Sequence, residues 1–88
     1  MAQPEVRDGD LVQLLQERDG VKTVVMLRDG RRLIVYDIAW GYDIGDQWAH
    51  VTTNISPRVE GASVDVFYTS DVASVIDPRT NEMIYRSS

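Results

Sequence analysis

Apolar positions recur along this 88-residue chain in two different periods. Leu11, Val12, Leu14 and Leu15 follow the helical spacing i, i+3, i+4. Asp10 with Gln13 three residues on fits a capping box, and Gly20 fits a left-handed cap. The pattern predicts a short helix over 11–19, which needs tertiary contact because two or three turns are marginal alone. After Gly20 the period changes to that of strands. Val21–Leu27 is β-branched and apolar, and Arg28-Asp29-Gly30-Arg31 reads as a hairpin turn of the type I′ kind that Asp-Gly favours. Leu33–Trp40 is apolar on nearly both faces, as in a bent strand of a curved sheet. Trp48–Ile55, Ser63–Thr69 and Val72–Ile76 follow as strands, with Val64, Val66 and Tyr68 on one face of the second of these. Asp77-Pro78-Arg79-Thr80-Asn81-Glu82 is a turn in which Asn81 tolerates the left-handed region, and Met83–Tyr85 pairs back.

One helix followed by five or six short strands predicts a mainly β fold: a small antiparallel barrel rather than a two-sheet sandwich. Residues 1–9, with Pro4 and Gly9 and no periodicity, read as a frayed N-terminus, and 10–88 as one domain. A chain this short leaves little room for a deep substrate cavity.

Charge changes the picture more than composition does. Residues 1–36 carry six acids and six bases. Residues 37–77 carry seven acids (Asp37, Asp43, Asp46, Glu60, Asp65, Asp71, Asp77) against one base, Arg58. The net charge of −5 therefore has a location. Nucleic-acid binders place Lys and Arg on phosphates, and an acidic middle repels them. It suits a protein partner with a basic surface. There is no cysteine, so disulfides, thiolate zinc sites and cysteine nucleophiles are excluded. With no apolar run of membrane length and no basic-then-apolar leader at Met1–Asp10, the expectation is a cytoplasmic protein with no membrane partner.

Three local features resemble the Sm-like fold, and the Hfq-like barrels in particular. The Leu11–Glu17 helix leads directly into a strand. Val25-Met26-Leu27-Arg28-Asp29-Gly30-Arg31-Arg32-Leu33 resembles the strand-turn-strand of the first Sm motif. Val66 to Ile76, a short strand turning through Thr69-Ser70-Asp71 into Val72-Ala73-Ser74-Val75-Ile76, resembles the second. The resemblance implies a five- or six-stranded Sm-like (SH3-like) barrel behind a leading helix. Sm-like proteins also pair sheet edges into rings, which implies a homo-oligomer through those edges. Thr69-Ser70-Asp71 offers an acid where RNA-binding members carry bases, so the RNA site does not carry over. The acidic Rof type, which binds a protein rather than RNA, is similar in outline up to Ile38.

The stretch Trp40–His50 holds both tryptophans, the one histidine, and Asp43 and Asp46. Two readings stand side by side. Trp40, Tyr42, Asp43, Asp46 and Trp48 form an aromatic and acidic patch that grips a basic partner, whose Arg side chains stack on the rings. Alternatively the two indoles close the barrel end as core. His50 with Asp43 and Asp46 is too loose a cluster to specify a metal, and the serines lack a nucleophile-elbow context. No phosphate loop or dinucleotide fingerprint is present. No cofactor, metal or catalytic residue is expected. Arg28, Arg31 and Arg32 around the Asp29-Gly30 turn are the one basic cluster and the alternative nucleic-acid site.

Overall fold

The leucine stripe forms α1, Gly9–Glu17, in the computed structural model, which describes residues 9–42, 45, 48–55 and 62–87. Leu11, Val12 and Leu15 are buried, which supplies the tertiary contact so short a helix requires. The helix starts earlier than its pattern predicts. Asp10 lies inside the first turn, where its charge suits the helix dipole, and not at a cap. Gln13 hydrogen-bonds Glu17 Oε1 at 3.1 Å, a contact between successive turns. Gly20 takes the left-handed conformation (φ 81°), three residues past the last helical one. Its N–H donates to Tyr36 O at 2.7 Å and ties the helix end to the sheet.

β1 (Thr23–Leu27) and β2 (Arg32–Val35) form the expected antiparallel hairpin. The turn between them differs from the expected type. Gly30 has φ 94° while Asp29 stays at negative φ, whereas a type I′ turn needs both positive. Gly30 N–H donates to Leu27 O at 3.0 Å and Leu27 N–H to Arg31 O at 2.9 Å, the bonding of a three-residue loop with glycine in its bulge. The Asp29 side chain is responsible, since its Oδ1 accepts from Arg31 N–H at 3.0 Å.

Leu33–Trp40 does not run on as one strand. It breaks at Tyr36-Asp37 into β2 and β3 (Ile38–Gly41). Asn54 holds this corner from the far side. Its Oδ1 accepts from Tyr36 N–H at 2.8 Å, its Nδ2 donates to Ile34 O at 2.9 Å and to Ser63 O at 2.7 Å, and its own N–H donates to Asp37 O at 2.8 Å. Ile55 N–H donates to Asp37 Oδ1 at 2.9 Å. β4 (His50–Thr53), β5 (Val66–Tyr68), β6 (Val72–Asp77) and β7 (Glu82–Arg86) complete the chain. A 3-10 turn, Thr69–Asp71, joins β5 to β6.

The fold is therefore mainly β, with one short helix and seven strands among the described residues, in two antiparallel sheets of order β2-β1-β6-β7 and β3-β4-β5. This corrects the five- or six-stranded barrel. The corner splits one expected strand in two, and among the described residues β5 and β6 do not pair, so no barrel closes. Leu11 and Leu15 of α1 pack with Val25, Leu27, Leu33, Val35, Val51, Phe67, Val72 and Val75 from both sheets.

Candidate functional site

Trp40 and Tyr42 are two residues apart at the end of β3, so strand geometry puts them on one side. Trp40 lies opposite Val51, and Val51 opposite Phe67, both core residues. Yet β3 is an edge strand and the core ends here: Trp40 is 41% exposed and Tyr42 is 42% exposed. Their rings meet edge to face, with centroids 6.0 Å apart and planes at 89°, a favoured aromatic geometry. Gly41 between them lies opposite His50, and a Cβ there would sit 3.4 Å from His50 Nε2. The histidine ring thus packs against strand backbone.

The aromatic reading divides accordingly. Trp40 and Tyr42 form an exposed ridge, whereas Trp48 is half-buried next to fully buried Ala49. Asp43 and Asp46 lie outside the described residues. Among the described residues no three of His, Asp and Glu converge as metal ligands would.

The acids of 37–77 are put to different uses. Asp77 is buried near the end of β6, with Arg18 Nη2 and Arg79 Nε each 3.6 Å from its Oδ1. The Arg79 backbone N–H, at 2.9 Å, and then the two guanidiniums hold the Asp77 carboxyl below the ordinary carboxylate range. Arg18 also donates from Nε to Thr23 Oγ1 at 2.7 Å and so joins the helix end to both central strands. Asp71 Oδ2 accepts from Tyr68 N–H at 3.1 Å, which occupies an edge-strand donor of β5.

The basic cluster does not converge. Arg28 donates from Nε to Ser70 O at 3.0 Å and from Nη2 to Ser87 Oγ at 2.9 Å. Arg31 pairs with Asp29 at 2.9 Å. The Arg31 backbone N–H, followed by its guanidinium, lowers the Asp29 pKa. Arg32 lies on β2 opposite Met26. The depression at this tip is lined by Leu27, Arg28, Asp29, Arg31 and Asp71, so carboxylates balance guanidiniums.

Sequence reasoning missed Asn54 and Arg18. The positive φ of Asn54 (57°) matches a known tolerance of asparagine, but its partners lie nine to twenty residues away. No protein-family model matches the chain, nor does any curated protein or solved structure.

Proposed function

We propose that this chain is a non-enzymatic binding or regulatory protein of the Sm-like type, which engages a basic protein surface through the turn that follows Trp40. The observation that carries this reading is the Trp40–Tyr42 ridge, open to solvent where the acid-bearing 43–46 segment begins. Rigid aromatic faces are what an arginine-rich partner stacks on, and carboxylates beside them supply attraction and orientation. The Sm-like assignment draws support from three features: a helix feeding β1, the Asp29-Gly30 hairpin, and the 3-10 turn between β5 and β6. Self-association through a sheet edge belongs to the same proposal.

RNA binding on Arg28, Arg31 and Arg32 fits the geometry less well, since Arg31 is paired with Asp29 and Arg28 is engaged by Ser70 and Ser87. Capture from a cell extract, with and without nuclease, separates the two. The proposal expects a protein that persists after nuclease and is lost with Asp43→Lys plus Asp46→Lys and with Trp40→Ala plus Tyr42→Ala. Capture that vanishes on nuclease treatment, or that survives the charge reversal, overturns it.

A further inference from the structure

Among the described residues β5 pairs with β4 alone, in the register His50↔Tyr68, Val51↔Phe67 and Thr52↔Val66. Thr53 N–H donates to Asp65 O at 2.8 Å, and Thr69 N–H donates to Ala49 O at 2.9 Å. These bonds make Asp65, Phe67 and Thr69 the residues whose backbone groups face β4. Peptide planarity then turns Val64 C=O, Val66 N–H, Val66 C=O and Tyr68 C=O away from β4, along the open edge. No described residue hydrogen-bonds them.

The edge is held in shape at both ends. Ser63 O accepts from Asn54 Nδ2 at 2.7 Å, and Tyr68 N–H donates to Asp71 Oδ2 at 3.1 Å. Between these ties Val64 to Tyr68 spans about 13 Å of extended chain. Its side chains are open. Val64 and Val66 are each 62% exposed and Tyr68 is 44% exposed, on one side of the strand, while Phe67 joins the core from the other. Edge strands are ordinarily blunted by lysine, proline or a bulge. Residues 64–68 contain no lysine or proline, and their ladder with β4 runs without a shift.

We infer that this edge receives an extended segment of a partner protein as an added strand, apolar at alternate positions with lysine or arginine between them. Main chain of the segment satisfies the outward backbone groups, and its apolar residues cover Val64, Val66 and Tyr68. Charge selects the residues between. Asp65 lies on the other side of the strand from the two valines and forms no ion pair among the described residues. β3, β4 and residues 64–68 contain no lysine or arginine, so the base must come from the partner. A second β5 laid antiparallel about Val66 would instead set two Asp65 carboxylates diagonally across the pairing, which disfavours a second copy. β5 and β3 are opposite edges of the sheet, so the inference stands on different residues from the Trp40 turn.

Selection of a displayed library of random twelve-residue peptides on the immobilised full-length protein tests it. The expected consensus alternates apolar residues with lysine or arginine. Backbone N-methylation at every second residue of the selected peptide abolishes binding, whereas N-methylation at the residues between leaves it intact. Val66→Pro removes the outward N–H, spares the bonds to β4, and weakens binding roughly tenfold or more. Val66→Lys, at an exposed side chain, weakens it by charge, and Trp40→Ala has no effect. An acidic or absent consensus, N-methylation effects that do not alternate, or binding indifferent to both Val66 variants overturns the inference. So does a concentration-dependent dimer of the protein alone that Val66→Lys dissociates.

Discussion

Asn54 is 1% exposed and uses both ends of its amide on backbone groups of two other segments, 34–36 and Ser63. Alanine at this position strands the Tyr36 N–H and the Ile34 carbonyl in a part-buried corner and leaves Ser63 O with Thr53 Oγ1 alone. It must also hold φ 57° without the local compensation asparagine provides. Asn54→Ala should therefore cost about 3 kcal/mol in a denaturant titration. Asn54→Gly should recover about 1 kcal/mol of that, the part due to backbone conformation. Asp77 makes a different kind of contribution. Its carboxyl titrates below the ordinary value of about 3.9, so its stabilising effect is fully present above that pH. The effect is lost as pH falls through the lower, folded-state value. In acid-unfolding curves, the stability gap between wild type and Asp77→Asn should shrink below about pH 4 and remain constant above about pH 5. A gap independent of acid would mean that Arg18 and Arg79 do not act on Asp77. Neither role was legible in the chain. Asn54-Ile55-Ser56 reads only as a local tripeptide, and nothing in sequence spacing joins Arg18 to Asp77, because both contacts exist only after the sheets assemble.

At the scale of elements, the readable parts were those whose cause is local. The leucine stripe made α1, Asp29-Gly30 made a hairpin, and Asn81 took its left-handed place (φ 60°) before β7. The Asp29-Gly30 turn was legible as a turn but not in its type, which the Asp29–Arg31 contact decides. The break between β2 and β3 was not legible. Leu33 to Trp40 is apolar apart from Tyr36-Asp37, and it bends there because Asn54, from outside the run, hydrogen-bonds Ile34 O, Tyr36 N–H and Asp37 O. The same run was apolar on both sides for a reason that emerges only with the register: Leu33 and Val35 face the core cluster, while Ile34 alternates to the other face, opposite Val24. The aromatic site was half legible. Two rings at i and i+2 on a strand must share a side, but only the position of β3 at a sheet edge decides that Trp40 is open and Trp48 is not. Removing the Trp40–Tyr42 ridge should consequently spare the fold. Trp40→Ala with Tyr42→Ala is expected to lower the thermal midpoint by only a few degrees, roughly the effect of 1 kcal/mol. A loss several times larger would place these rings in the core.

The whole molecule carries −5, but its charge is sorted by place. Arg32 and Arg86 stand on the outward face of the four-stranded sheet, and the acid-rich 43–46 segment follows the aromatic ridge on the three-stranded one. Part of the acid surplus counted from sequence is neutralised inside: Asp77 is compensated by the chain's own guanidiniums. The account therefore rests on Asp43 and Asp46, which follow Trp40 closely in the sequence, and not on the sum over residues 37–77. Tryptophan emission reads that position directly, because Trp40 is open to water. The wild-type protein should be titrated with an arginine-rich peptide and, separately, with a uridine homopolymer at two salt concentrations. The account predicts that the peptide shifts the emission, that salt weakens the effect, and that Trp40→Phe or Asp43→Lys with Asp46→Lys abolishes it, while the homopolymer leaves emission unchanged. A shift produced by the homopolymer and not by the peptide would contradict it.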